Sequence, residues 1–229
     1  LVAQEAAATA LARLDERSAL PVLRRALARH PESIPLLRAL LMLGDDTLTD
    51  HARKLARQAE PVPGALCLLA SCGDLRDADA LLAAPASEER LLAMGILGAF
   101  DHVRVLCDAL TAGEPSLGLA AALSLERITG AGLFAPGGAD DDDEAAGAAP
   151  SDPACWASYL EAHGPRFARG RRYRRGVPFE LARCVDELAD ATTPYVWRVA
   201  ALDEWRLRGH RPTRLEPDDR AQSQLGSVD

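Results

Sequence analysis

Aromatic residues are scarce: they make up 4% of the 229 residues, and eight of the ten lie between Trp156 and Trp205. Most of the chain therefore has few bulky rings for a core and must pack aliphatic and alanine side chains, which suits closely approaching helices. Lysine is nearly absent, Lys54 being the one non-arginine among 26 Lys and Arg residues; this is the mark of GC-rich coding and points to a bacterial source. No apolar run reaches the ~18–20 residues that span a bilayer as a helix, so no membrane association is expected. The five cysteines (Cys67, Cys72, Cys107, Cys155 and Cys184) contain no C-x-x-C pair and are odd in number. A zinc site or disulfide framework is not expected, and buried thiols in a reducing cytoplasm fit this usage better.

Catalytic signatures are also missing. The histidines, His30, His51, His102, His163 and His210, are scattered. No H-E-x-x-H, G-x-S-x-G, Walker loop or G-x-G-x-x-G occurs. No metal or cofactor is expected, and the chain reads as non-enzymatic. Asp203-Glu204 beside Trp205 is the best carboxylate pair near an aromatic. Neighbouring helix positions point about 100° apart, so shared acid–base work by this pair is not expected. The net charge of −8 argues against a generic nucleic-acid binder.

What the chain does contain is a repeat. Leu11-Ala-Arg-Leu-Asp15, Leu41-Met-Leu-Gly-Asp45, Leu69-Ala-Ser-Cys-Gly-Asp74 and Ile96-Leu-Gly-Ala-Phe-Asp101 each end an apolar helix on an aspartate, at spacings of 30, 29 and 27 residues. A shorter apolar helix follows each, over 19–27, 50–58, 77–84 and 103–110. Such a period marks an array of helix pairs, each unable to bury its apolar face alone. The aspartate is expected to cap the second helix by accepting its orphan N–H groups. Leu11 and Leu14 are expected to face the core from the first helix. Pro21 falls in a first turn, and Ser87-Glu-Glu-Arg is an N-cap signature. A last array helix is predicted over 115–128, ending at Gly130. Helix pairs of this length, rich in Ala and Leu with an aspartate between them, resemble the short HEAT-like repeats of bacterial proteins. The resemblance covers roughly residues 1–130 and implies an all-α fold, an α-α superhelix.

The composition then changes twice. Residues 131–152, including Asp140-Asp-Asp-Asp143-Glu144, are turn-rich, acidic and aperiodic and read as a flexible linker. Residues 153–210 are aromatic and basic. Between 156 and 215 there are 12 arginines against 7 acids, a local net of +5 that leaves the rest near −13. Helices are predicted over 153–163, 178–190 and 194–208, with Leu181, Cys184, Val185 and Leu188 forming one stripe. Eight aromatics are a large apolar load for so short a segment, which is therefore expected to cap the array's last open face. Residues 211–229 read as a loose tail.

The most unusual stretch is Arg166-Phe-Ala-Arg169-Gly-Arg171-Arg172-Tyr173-Arg174-Arg175. Six arginines with two aromatics suit phosphates and bases, an acidic protein surface, or intramolecular pairing with acids of the array. All three remain open from the residues alone. With its flanks, the pattern of a Trp-containing helix, Arg166-Phe167, Gly170-x-Arg-Tyr173-x-x-Gly-x-Pro178 and a final Arg- and Ala-rich helix resembles the end of an uncharacterised family of bacterial HEAT-like proteins. Such proteins look to be accessory components encoded near type VI secretion genes. That likeness implies a protein-interaction scaffold or adaptor whose partner is another protein. The alternative is a HEAT-like nucleic-acid enzyme similar to the helical-repeat DNA glycosylases, with Asp203 or Glu204 as its acid. The His-Glu pairs that hold iron in HEAT-type hydroxylases are absent.

Overall fold

A computed structural model describes residues 1–133 and 152–209. It is mostly helical, with 12 α-helices and one two-stranded sheet among the described residues. The repeat phrase is visible as a recurring motif of helix, one turn of 3₁₀ helix, helix. The four copies are α1 (Val2–Arg13) and α2 (Leu20–Arg29), α3 (Ile34–Met42) and α4 (Thr49–Ala56), α5 (Ala65–Cys72) and α6 (Ala78–Ala83), and α7 (Glu88–Leu97) and α8 (Val103–Leu110). Helix α9 (Pro115–Thr129) closes the first part of the chain. Three of these helices, α2, α7 and α9, begin where expected: Pro stands at the start of α2 and α9, and the Ser87 hydroxyl accepts from the Arg90 N–H at 3.1 Å to cap α7.

The described residues divide into two compact units, a first formed by residues 1–73 with 180–209 and a second formed by the described residues between 74 and 179. The first unit holds α1–α5 together with α11 (Arg183–Ala189) and α12 (Tyr195–Gly209). In it, α1 and α2 pack on α3, α4 packs on α5, and α12 lies against α3, α5 and α11. Leu36, Leu37, Leu40, Leu68 and Leu69 are almost completely buried there, and Trp197, Leu202 and Leu207 come in from α12. The second unit centres on α7 and α8 packed against α9, with α10 (Pro153–His163) on α8 and strand β1 (Tyr173–Arg174) on α9. Ala121, Ala122, Leu125 and Leu97 fill that core, where Ser124 of α9 donates to the Leu91 carbonyl at 2.8 Å. The expected basic segment 153–210 is thus shared out, its first half in one unit and its second half in the other.

Several local expectations need correction. No repeat aspartate caps the second α-helix of its pair through its side chain; Asp74 caps the 3₁₀ turn before α6, accepting from the Arg76 N–H at 2.8 Å, while Asp77 accepts from the Asp74 N–H at 3.0 Å. Asp45 accepts instead from Arg24 Nε and the Thr47 hydroxyl, both at 2.7 Å. The Arg24 hydrogen bond and charge hold the Asp45 carboxyl below its ordinary pKa. Asp15 lies in the left-handed region and pairs with Arg17, while Glu16 accepts from the Ser18 N–H. Asp101 accepts from the Gly170 N–H at 2.8 Å. The 3₁₀ turn inserted before each second helix moves the aspartate away from that helix's first N–H groups, which frees it for other donors. Leu14 is 77% exposed because α1 buries its Ala8 and Ala12 face, and Leu14 falls just past the helix end. The helix expected over 178–190 shrinks to α11, since Val177–Pro178 forms strand β2. Among the thiols Cys184 is buried, Cys155 is exposed, and none of the five is in a disulfide. The expected acidic linker, apart from its first and last residues, and the tail lie outside the described residues.

Candidate functional site

The arginine-rich stretch is a hairpin, not a plain connection. Strands β1 and β2 pair antiparallel, Tyr173 with Pro178 and Arg174 with Val177. The two residues between them, Arg175 and Gly176, both have positive φ, at 51° and 82°, the backbone of a tight hairpin turn. A one-residue bridge, Ala99 to Arg172, ties this hairpin to the end of α7.

Its main structural work is at two helix C-termini, where the last carbonyls have no intrahelical partners. At α7, Arg172 Nε donates to the Leu97 carbonyl at 2.6 Å and Arg174 Nη2 to that of Ile96 at 3.0 Å. The Tyr173 N–H donates to the Gly98 carbonyl at 2.7 Å. At α9, the Arg175 and Gly176 N–H groups donate to the carbonyls of Arg127 and Ile128, at 2.6 and 3.0 Å. Arg166 Nη2 reaches the Thr129 carbonyl at 3.1 Å and the Tyr159 hydroxyl at 2.7 Å. Guanidinium groups at these ends also complement the negative pole of each helix. The aromatics complete the anchor: Phe100 stacks on Phe167 at 4.8 Å and Tyr173 meets Phe167 edge-on at 5.0 Å. Arg172 lies over the Phe179 ring at 3.9 Å.

The expected site residues therefore separate by burial. Tyr173 and Arg174 are buried and Arg172 is half-buried, whereas Arg166, Arg169, Arg171 and Arg175 are exposed. Arg172, Arg174 and Arg166 each donate to a helix carbonyl, a kind of partner that none of the three readings of the sequence had named. A signal for the hairpin stood in the sequence, namely Gly176 after Arg175 between Tyr173 and Val177.

A second site was not legible in the sequence. In the first unit, α1, α3 and α12 enclose a cleft of about 470 Å³. Arg13, Arg38, Arg206 and Asp203 supply its charge, over an apolar floor that includes Ile34, Met42, Val199 and Leu202. Arg38 Nη1 stands 3.2 Å from Asp203 Oδ2. Burial pushes the Asp203 carboxyl above its ordinary pKa, opposed by the charges of Arg38, Arg206 and Arg13. Glu204, the adjacent residue, is fully buried and accepts from Arg208 Nε at 3.0 Å on another side of α12. The two carboxylates thus face different surroundings, as their helical offset requires. Among the described residues no group of three or more His, Cys, Asp or Glu side chains converges as metal ligands would. No helix among them is long and apolar enough to cross a membrane.

No family model matches the chain, and no curated protein or solved structure is significantly similar to it.

Proposed function

We propose that this chain is a non-catalytic interaction scaffold, built on HEAT-like helix pairs in an α-α superhelix and holding another protein at its basic hairpin. The supporting observation is the division of labour in that hairpin. Arg166, Arg172 and Arg174 bond to helix carbonyls, while Arg169, Arg171 and Arg175 stay exposed on the same short backbone. Charges on a backbone held at two helix ends lose little freedom on binding, so they suit an acidic partner surface. The likeness to type VI secretion accessory proteins makes an adaptor in such machinery the biological setting of this reading. No observation favours the nucleic-acid enzyme: Glu204 is enclosed with Arg208, and Asp203 is paired with Arg38.

The test changes only arginines without a capping role. Arg169→Ser with Arg171→Ser should leave the melting temperature unchanged. It should lower retention of a protein captured by the unaltered chain roughly tenfold, two rim charges at about 0.5–1 kcal/mol each. Equal retention by the double variant and the unaltered chain would remove the hairpin from the reading.

A further inference from the structure

The aromatic rings of the hairpin are committed to its own packing. Phe167 is 7% and Tyr173 4% exposed, and half-buried Phe179 lies under the Arg172 guanidinium at 3.9 Å. Bases therefore find no ring standing clear to stack on. Backbone donors are committed as well. The Ala168 N–H donates to the Tyr173 hydroxyl at 2.7 Å and the Gly170 N–H to Asp101 Oδ2 at 2.8 Å, so neither is left to cradle an oxyanion. The Arg171 carbonyl accepts from the Phe100 N–H at 3.1 Å, which pins the loop from its other end. Arg169 and Arg171 remain outward, exposed and with no side-chain ion pair or hydrogen bond among the described residues.

Asp101 stands between these two cations. Their Cα atoms are at most about 7 Å apart, and the carboxylate is fixed on the N–H of the residue between them, 69 positions along the chain from its own. A phosphate gripped by both arginines at once has to approach Gly170, where it meets the Asp101 charge at close range. Carboxylates on separate side chains avoid that repulsion, each meeting one arginine on the side away from Asp101. We infer, on the reading of the hairpin as the partner-binding surface, that Asp101 makes this loop selective for separately borne carboxylates. The partner's contact is then an acidic peptide segment, and neither a phosphorylated motif nor a nucleic acid. Anchoring the loop needs only an acceptor at position 101, whereas selectivity needs its charge. Asp101→Asn separates the two, since an amide oxygen still accepts from the Gly170 N–H.

Fluorescence anisotropy on the full chain at low salt tests this with three labelled probes of about equal charge. They are a peptide of glutamates spaced by glycine, a peptide with half as many phosphoserines at about −2 each, and an oligothymidylate. The glutamate peptide should bind at least about fivefold more tightly than either phosphate probe. Asp101→Asn should leave the melting temperature unchanged and tighten the phosphoserine peptide at least about threefold more than the glutamate peptide. A purely anchoring Asp101 does not move that ratio. The probe ratio of the unaltered chain stands whether or not the variant folds. Either phosphate probe binding the unaltered chain as tightly as the glutamate peptide overturns the proposal. So does absent glutamate-peptide binding, or a ratio that a folded Asp101→Asn leaves where it was. Arg169→Ser with Arg171→Ser keeps the two levels apart. Probes bound equally but lost in that variant overturn the selectivity alone, whereas glutamate-peptide binding that survives it overturns the hairpin reading too.

Discussion

Arginine 174 shows how a charged side chain can serve as backbone. It is 1% exposed, donates to the Ile96 carbonyl at the end of α7, and lies 4.9 Å from the Phe179 ring centre. His102 is another enclosed ionisable group of the second unit. It is 0% exposed, with Nε2 3.2 Å from the Ala78 carbonyl. Burial lowers its pKa from the ordinary value, a shift that the Ala78 and Met94 carbonyls and Asp101 only partly oppose. A folded pKa below the unfolded one means that the unfolded chain binds the proton more readily. Stability is therefore fully present above the unfolded value of about 6.5 and falls as pH drops below it, until the folded value is passed. Urea unfolding at about pH 7 and about pH 5 should show a loss of stability in the unaltered chain that is smaller in His102→Gln. Equal losses in both would mean that His102 is not the group responsible.

At the scale of elements, the hairpin and the ends of α7 and α9 form one assembly, and two glycines make their close approach feasible. Gly98 has φ +72°, and a Cβ there would stand 2.5 Å from the Tyr173 carbonyl oxygen; Gly130 has φ +58°, and its Cβ would stand 2.6 Å from the Arg175 carbonyl carbon. Any side chain at either place meets backbone that cannot turn aside, in a conformation that L-residues avoid. Gly98→Ala should cost at least about 2 kcal/mol in urea unfolding. It should also release the hairpin, read as faster amide exchange at Tyr173, whose N–H donates to Gly98. A change within about 0.5 kcal/mol would show that the contact is dispensable. The ends of α7 and α9 were readable from Gly98 and Gly130, since glycine is the usual residue just past a helix. Their partner was not, because a stretch about 40–80 positions along the chain supplies it and no local pattern encodes that pairing.

The molecule as a whole has a chain path that linear reading divides differently. The first unit is discontinuous: the chain leaves it after Gly73 and returns at Glu180. Helix α12 then packs on α3 and α5, and Arg208 Nη2 donates to the Ala70 carbonyl at the end of α5, 3.3 Å away. A chain ending at residue 179 lacks the partner of those helices, which carry some of the most deeply buried leucines of the unit. Such a truncation should bind a hydrophobic dye and be cleaved within 34–72 by trace protease, where the full chain resists. Resistance equal to the full chain would show that α1–α5 are self-sufficient.

Between these scales lies the boundary of what linear order can specify. Helix pairs at a 27–30 residue period, their proline and serine starts, and the scarcity of rings outside the C-terminal third were all legible, because each depends on residues within one or two turns of each other. The sequence also singled out 166–175 as unusual, and a binding role for its exposed arginines is still the proposal. Tertiary structure alone decided that Arg172 and Arg174 bond to helix carbonyls, that Asp45 belongs to Arg24 and Asp101 to Gly170, and that Arg13, Arg38 and Arg206 share a cleft with Asp203. The reason is physical. An arginine or aspartate has no fixed partner type, and buried donors and acceptors are satisfied by whichever groups the packing of apolar faces brings within about 3 Å.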